Sequence, residues 1–199
     1  MVDSVSIRPA ATLILWRMAA QGPEVLMGQR GATAAFMPSK YVFPGGAVDA
    51  GDHAAGHLTP LCRQSLRLHC PPAPPTPEAL AGCALRELVE ETGLTLAAAT
   101  PLLFLFRAIT PAGPPRRFDA RFFLASARNV LGDTEDFRRA EDELSHLHWI
   151  ALTKARRLDL PFITEVVLAE VAAILAGHDQ PGVPFFDNSG PIPTFRRLV

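Results

Sequence analysis

The pattern of hydrophobic and polar residues predicts several strands in the first quarter of the chain. Ala11 to Trp16 is a nearly continuous apolar run with β-branched members, which is typical of a buried strand. Gly22-Pro23 indicates a turn, and Glu24 to Gln29 predicts a second strand that pairs with the first as a hairpin. Tyr41-Val42-Phe43 is a short apolar piece, which the following Pro44-Gly45-Gly46 must end.

The clearest helix of the sequence is predicted over residues 77–92. Thr76 is a suitable N-cap, Pro77 suits the first helical position, and Glu78 favours the positive end of the helix dipole. Gly93 is a natural residue to end the helix. An apolar stripe along it is formed by Ala81, Leu85 and Leu88.

The second half of the chain mixes strands and helices. Leu102 to Thr110 and Arg117 to Ala127 predict strands on either side of a proline-rich turn, and His148-Trp149-Ile150 predicts a short strand. Thr164 to Ala176 is apolar along most of its length and predicts a packing helix. Strands and helices do not alternate strictly, which favours a mixed sheet with helices on its faces.

Length and composition indicate one domain. A chain of 199 residues can bury one sizeable core and is short for two. The 19 prolines cluster at 71–77, 111–115 and 181–193, which predicts loops there and a proline-rich C-terminal tail at about 181–199.

Charge and cysteine content narrow the classes of partner. The formal net charge of −1 gives no field that would favour nucleic acid or an anionic membrane. No apolar run reaches the length of a membrane span, and residues 1–6 do not resemble a signal peptide. Three cysteines, Cys62, Cys70 and Cys83, are predicted to be reduced thiols in a cytoplasmic protein.

The candidate chemistry lies on the predicted helix. Glu87, Glu90 and Glu91 stand at i, i+3 and i+4, so their carboxylates are neighbours on one helix face. Like charges at this spacing repel unless a cation lies among them. A hard divalent metal ion is the obvious candidate, because it prefers oxygen ligands.

Two segments resemble the sequence box of the Nudix hydrolase family. They are Pro44-Gly45-Gly46 and Arg86-Glu87-Leu88-Val89-Glu90-Glu91-Thr92-Gly93-Leu94. The chain departs from the family pattern in two ways. Asp52 stands where the box has its first glutamate, and the 26 residues from 53 to 78 are inserted between its two halves.

The resemblance implies a Nudix-type α/β/α sandwich of the α+β or α/β class with a mixed β-sheet. It also implies hydrolysis of a diphosphate with bound Mg²⁺ or Mn²⁺, which supplies a Lewis acid and activates water. The implied metal ligands are the Gly45 carbonyl, Glu87, Glu90 and Glu91. Glu87 is also the candidate general base, and Arg86 is expected to orient a glutamate.

Two further residues complete the predicted site. Many members of the family use another acid from a loop before a late strand, and Glu143 is predicted to be that residue, with Glu141 in reserve. Arg30, at the end of the second predicted strand, is predicted to contact a substrate phosphate.

The expected substrate is a nucleoside diphosphate linked to another moiety. The split box and the run from Phe36 to Gly46 resemble the Nudix 19-like branch, which suggests coenzyme A or an acyl derivative. The chain ends at Arg196-Arg197-Leu198-Val199, which is not a Ser-Lys-Leu-type peroxisomal signal.

Other hypotheses stay open at this point. One is a non-catalytic module that senses a nucleotide-derived ligand. A second is a zinc site in the insertion, which contains His53, His57, Cys62, His69 and Cys70. Its leucines, Leu58, Leu61, Leu66 and Leu68, predict that the insertion packs on something, either the substrate cleft or a partner subunit. A homodimer is one option for the oligomeric state.

Overall fold

A computed structural model describes residues 5–69, 75–179 and 181–199. Of Ala55, Leu68 and His69 it describes the backbone alone. Most of the first proline cluster and the whole of Cys70 lie outside these ranges.

One mixed β-sheet runs through the protein. Its strands are β1 (Ile7–Ala19), β2 (Gly22–Arg30), β3 (Tyr41–Val42), β4 (Gly45–Ala47), β5 (Leu103–Ile109), β6 (Arg117–Ser126), β7 (Leu144–Ala151), β8 (Val183–Asp187) and β9 (Thr194–Leu198). The order is β3-β2-β1-β6-β5-β8-β9, with β4 paired to β1 and β7 paired to β2. Strand β1 pairs in parallel with β6 and antiparallel with β2, so the predicted hairpin and the mixed sheet are confirmed.

Helices cover both faces of this sheet. They are α1 (Pro60–His69), α2 (Pro77–Thr92), α3 (Leu152–Ala155) and α4 (Phe162–Leu175). Short 3₁₀ helices occur at Ala55–His57 and Ala127–Asn129. One hydrophobic core lies between the sheet and α1 and α2, and a second lies between the sheet and α3 and α4. The predicted α/β/α arrangement is therefore confirmed.

The central strand shows why its sequence lacks alternation. Leu13 and Leu15 face the core under α2, whereas Ile14 faces the core under α4, and all three side chains are fully buried. A strand covered on both faces reads as a continuous apolar run, which is what the sequence shows.

Helix α2 has the predicted bounds and the predicted caps. The Thr76 hydroxyl accepts a hydrogen bond from the Ala79 N–H at 3.1 Å. Gly93 takes the left-handed conformation at φ 73°, and its N–H donates to the Val89 carbonyl at 2.8 Å. The helix that bears the three glutamates is thus fixed at both ends by local sequence.

The insertion packs on the domain itself. Leu58 and Leu66 are buried in the core that also contains Leu80 and Leu102, so the expected contact with the substrate cleft or a partner is wrong for these two residues. Leu61 is 74% exposed. Within the described residues, no group of three or more His, Cys, Asp or Glu side chains could hold a metal ion, which gives no support to a zinc site there.

The segment after residue 181 differs from the predicted proline-rich tail, because it contains β8 and β9. Val183, Pro184 and Phe185 are buried, and β8 pairs with β5 in parallel at Arg107–Phe185. The prolines leave the N–H groups of residues 185–187 available, so the segment can extend the sheet. None of the helices in the described ranges has the length and apolar character of a membrane span.

Candidate active site

Arg86 is the centre of the polar network on α2. Its guanidinium donates to Glu87 Oε1 at 2.8 Å and to Glu90 Oε2 at 2.9 Å. It also donates to the Ala47 carbonyl at 3.0 Å. Arg86 thus binds two of the three glutamates, and a cation from the protein itself lies among the clustered acids. Several strong charge-assisted bonds at one group hold the guanidinium in one position.

Asp52 has a definite position in this network. Its two carboxylate oxygens accept from Arg86 Nε at 2.8 Å and from Nη2 at 3.1 Å, and its side chain is only 4% exposed. The paired guanidinium opposes the effect of burial, and the pKa of Asp52 lies below its usual value. Asp52 therefore acts on the glutamates through Arg86, and its shorter side chain is long enough for this contact.

A glycine inside α2 explains how Asp52 reaches the helix. A Cβ atom at Gly82 would lie 2.2 Å from the His53 backbone nitrogen. Only glycine permits this close approach, and it brings Asp52 beside Arg86, one turn further along the helix. Glycine inside a helix costs about 1 kcal/mol relative to alanine. A glycine at position 82 of the predicted helix was therefore the signal in the sequence for a close backbone contact.

The two glycines of β4, Gly45 and Gly46, pack directly against the acidic face of α2. The Gly45 N–H donates to Glu91 Oε2 at 2.8 Å. A Cβ atom at Gly46 would lie 2.2 Å from Glu87 Oε1. The two halves of the split box therefore meet through folding, and Gly46 leaves the space that the Glu87 carboxylate occupies.

Burial changes the ionisation of two glutamates. Glu91 is 2% exposed, and its Oε1 is a buried atom without a hydrogen-bond partner in the described structure. Burial raises the pKa of Glu91 to about 8, although the bond from Gly45 opposes this. Burial also raises the pKa of Glu87, against the effect of Arg86. Both carboxylates favour a compensating positive charge.

The structure brings Glu143 and Arg30 together. They form an ion pair at 2.7 Å, in which the Glu143 side chain is 53% exposed and Arg30 is 15% exposed. Both line the same cavity as Glu87. The reserve candidate Glu141 is exposed, and its backbone N–H donates to the Glu90 carbonyl at 2.7 Å, which anchors this loop to α2.

The donor set fits a hard divalent ion in its chemistry. Glu87, Glu90 and Glu91 each use one oxygen in the hydrogen bonds above, which leaves the other oxygen of each carboxylate for a cation. The buried Glu91 Oε1 is the strongest sign, because an unpaired buried carboxylate oxygen is costly. The carboxylates do not converge on one point, since Arg86 holds two of them.

A cavity of about 580 Å³ opens beside this acidic group. At one end it is bounded by Gly45, Gly46, Glu87, Arg30 and Glu143. The remainder is mostly apolar and aromatic, with contributions from Phe36, Phe43, Phe118, Phe122, Phe162 and Phe186. No described residue between 53 and 78 lines it.

Sequence reasoning missed the floor of this cavity. Arg8, Ala10 and Thr12 of β1 all line it, and so do Phe118, Ala120 and Phe122 of β6. Each set follows the two-residue period by which alternate side chains of a strand face the same side. The two-residue period is visible in the sequence. It does not show which face of a buried strand lines a cavity.

Comparison with known proteins agrees with this architecture. Residues 76–171 match the model of the NUDIX domain. This part of the chain is similar to a NUDIX domain. Its match begins at the N-cap of α2, so it includes the Arg86 to Leu94 half of the box.

Similar proteins and structures support the same family. A Caenorhabditis elegans protein that bears the name nudix hydrolase 7 is 28% identical, and the match covers 73% of this chain and 52% of that protein. The chain thus spans about half the length of the curated relative that it matches. The crystal structure of a NUDIX hydrolase from Alicyclobacillus acidocaldarius has 28% identity and a TM-score of 0.60, and the match covers 84% of this chain and 92% of the other.

A second structure shares the fold alone. The NUDIX domain of Shewanella oneidensis NrtR, determined with ADP ribose, is 14% identical with a TM-score of 0.56, and the match covers 85% of this chain and 89% of that domain. The predicted Nudix fold is confirmed.

Proposed function

We propose that the chain is a Mg²⁺- or Mn²⁺-dependent hydrolase that cleaves the diphosphate bond of a nucleoside diphosphate linked to another moiety. The observation that supports this most directly is the buried Glu91 carboxylate, whose Oε1 has no hydrogen-bond partner in the described structure. Glu91 stands one helical turn after Glu87, which lines the cavity. An ionised carboxylate in this position needs a compensating cation. A cation placed between the carboxylate and a bound diphosphate would neutralise charge on both.

Glu87, Glu90, Glu91 and the Gly45 carbonyl are the proposed metal ligands. When bound, the ion would neutralise phosphate charge and lower the pKa of a water molecule. Arg86 fixes the directions of Glu87 and Glu90, and Asp52 fixes Arg86. Gly46 keeps the space in which Glu87 must stay.

Glu87 or Glu143 is the proposed acceptor of the proton from water. Both line the cavity, so both can reach a water molecule that is positioned against a bound substrate. Arg30 is the proposed phosphate contact, since its ion pair with Glu143 keeps the guanidinium at the cavity wall. A substrate phosphate would compete with Glu143 for Arg30 and would leave Glu143 available to bind a proton.

Coenzyme A and acyl-coenzyme A are the finer substrate proposal. The resemblance to the Nudix 19-like branch motivates it, and the long aromatic part of the cavity has room for a substrate with a large second moiety. The cytoplasm is the proposed location, which fits the free thiols of Cys62 and Cys83.

A screen of substrates tests the activity. We expect Mg²⁺-dependent hydrolysis of at least one member of a panel containing ADP-ribose, Ap4A, coenzyme A and acyl-coenzyme A, with products identified by mass spectrometry. Glu90→Gln should lower the rate strongly, whereas Glu165→Gln, which removes an exposed charge on α4, should leave it unchanged. Equal rates for the wild type and Glu90→Gln would reject the metal site.

The second candidate is a non-catalytic module that binds a nucleotide-derived ligand. It is favoured by Arg86, which occupies the position between Glu87 and Glu90 where a cation would otherwise lie. Calorimetry on the same panel distinguishes the two functions. Binding without product formation in the presence of Mg²⁺ would support the module and contradict the hydrolase.

A further inference from the structure

Two arginines line the cavity without any carboxylate partner in the described structure. Arg8 and Arg116 take part in none of its ion pairs or side-chain hydrogen bonds. Arg30, the third arginine that lines the cavity, differs because it is paired with Glu143. Because the chain as a whole has a net charge of −1, unpaired arginines facing one cavity are not explained by a general excess of positive charge.

The two arginines belong to the same end of the cavity. In the parallel pairing of β1 with β6, Arg8 lies opposite Phe118, and Arg116 directly precedes the first residue of β6. Adjacent strands lie about 4.8 Å apart, so long side chains from these two positions can reach one common group. The nearest acid on β6 is Asp119, whose carboxylate is already bound by Arg107 and Arg121.

This end is well separated from the acidic end. Thr12 pairs with Gly45 of the acidic end, and Arg8 is four residues earlier on the same strand and the same face. At about 3.3 Å per residue the two positions are about 13 Å apart along β1.

The cavity between the two ends offers no charge. Ala10 and Ala120 form its floor, and Phe36 packs edge-on against Phe118 with ring centroids 5.2 Å apart. The charged groups that line the cavity are therefore divided between Glu87, Glu143 and Arg30 at one end and the arginine pair at the other. A ligand that fills the cavity would therefore place an uncharged part, such as a ribose or a base, in this middle region.

We propose that Arg8 and Arg116 bind a second anionic group of the substrate, a phosphate or carboxylate, at the end of the cavity opposite the acidic residues. This rests on the proposed function in one respect, because it assigns the diphosphate to the acidic end. Arginine suits the purpose, since its planar guanidinium matches two oxygens of a phosphate or carboxylate. The substrate class is then a nucleoside diphosphate derivative with an additional anionic group.

Pairs of ligands that differ by one phosphate test this directly. The pairs are coenzyme A and 3′-dephosphocoenzyme A, NADPH and NADH, and ADP-ribose with and without a 2′-phosphate. Kd is measured by calorimetry for every member, and KM is added wherever hydrolysis occurs. The wild type should bind the phosphorylated member of at least one pair about tenfold more tightly, as a charged hydrogen-bonded contact predicts.

The variant Arg8→Gln/Arg116→Gln should reduce this preference to less than about twofold, as expected when charged contacts are lost. The control Arg128→Gln removes an exposed arginine that does not line the cavity and should keep the full preference. Thermal unfolding of each variant verifies that the fold is retained. A preference that survives in the double variant, or a wild type without preference in every pair, would overturn the proposal.

Adding inorganic phosphate shows whether the arginine pair binds a group of the substrate or a free anion. Added phosphate should weaken binding of the phosphorylated member and remove the preference. An increase in turnover of the unphosphorylated member on adding phosphate would instead identify a free anion as an effector, and would overturn the assignment to the substrate. Binding can be measured in a protein that does not hydrolyse the ligand. If the protein is inactive but still prefers the phosphorylated ligands, the proposed hydrolysis is wrong and the proposed role of Arg8 and Arg116 is supported.

Discussion

The two ends of the cavity are organised by different forces. At the acidic end, hydrogen bonds determine the position of nearly every polar group, since Arg86 alone binds Asp52, Glu87 and Glu90. At the other end, aromatic side chains such as Phe36 and Phe118 pack against each other. Arg8 and Arg116 make no ion pair or side-chain hydrogen bond in the described structure.

Under the proposed function, the acidic end of the cavity acts on the diphosphate bond and the arginine end selects the ligand. Groups that act on a bond must be held to within a fraction of an ångström, so a dense polar network suits the acidic end. A site that chooses among ligands gains from apolar area and from charges that become paired only when the ligand binds. The predictions below test whether the two ends are separable in this way.

The largest expected effect belongs to Gly46→Ala. The new Cβ would lie 2.2 Å from Glu87 Oε1 and 2.5 Å from its Cδ, so the carboxylate must leave its position. We expect kcat to fall at least about hundredfold, as for other misplaced catalytic groups. Steady-state kinetics on the best substrate of the panel measures this.

The free energy of unfolding of Gly46→Ala should change by less than about 1 kcal/mol, because the obstacle is the movable end of a side chain. Gly51→Ala is the control, since a Cβ there meets nothing within 4 Å. An active Gly46→Ala protein would show that the position of Glu87 is not critical.

Arg86→Lys should have the next largest effect. Lysine keeps the charge but loses the planar set of donors, so it cannot satisfy the nearly buried Asp52 carboxylate and both glutamates together. We expect the free energy of unfolding to fall by about 2 kcal/mol. Urea denaturation measures it.

The matched control is Arg138→Lys. Arg138 makes the same two-bond contact with Asp136, but on the exposed surface, so its replacement should leave the unfolding midpoint unchanged. Equal effects of the two substitutions would show that the network on α2 has no special strength.

Stability should depend on pH through Glu91. Its folded pKa of about 8 lies above the value of about 4.3 for a free glutamate, so the folded state binds an extra proton between these values. The free energy of unfolding should therefore fall as pH rises from about 5 to about 8, by at most about 1.4 kcal/mol per pH unit for one proton. Denaturation series without divalent metal measure the slope.

Glu91→Gln should reduce this slope, and the raised pKa of Glu87 should leave part of it in place. Glu165→Gln, which removes an exposed acid, should not change the slope. The same slope in Glu91→Gln as in the wild type would contradict the assignment to Glu91.

Phe162→Ala should have the smallest effect and should act on binding. Phe162 lines the cavity and contacts Phe186 with ring centroids 5.8 Å apart, but 65% of the residue is exposed. We expect KM to rise about threefold with kcat nearly unchanged, since some apolar contact with the ligand is lost. Phe195→Ala is matched, because Phe195 also contacts Phe186 but does not line the cavity. A similar rise of KM in both variants would place the effect in the packing of Phe186.

The parts that could be predicted are those with local causes. The bounds of α2 follow from Thr76, Pro77 and Gly93, which act on their own turns of helix. The β1-β2 hairpin follows from one apolar run and one turn. The strands of the C-terminal segment were not predicted, because the proline content of 181–193 outweighed the apolar residues Val183, Phe185 and Phe186.

The site was predicted in its residue types and not in its bonds. That Glu87, Glu90 and Glu91 share a helix face follows from spacing alone. That Asp52 binds Arg86 depends on the backbone passing over Gly82, 30 residues further along the chain. No local preference contains that information.

The sequence by itself determined the chemistry available to this protein, because helix spacing and caps fix which side chains lie together on α2. Only the tertiary structure decided how those groups are satisfied and what lies opposite them. It placed Gly45 and Gly46 against the glutamates, directed Leu58 and Leu66 of the insertion into the core, and brought Arg8 and Arg116 to the far end of the cavity. The physical reason is distance along the chain, since contacts between remote segments depend on the packing of the whole sheet and not on local conformational preference.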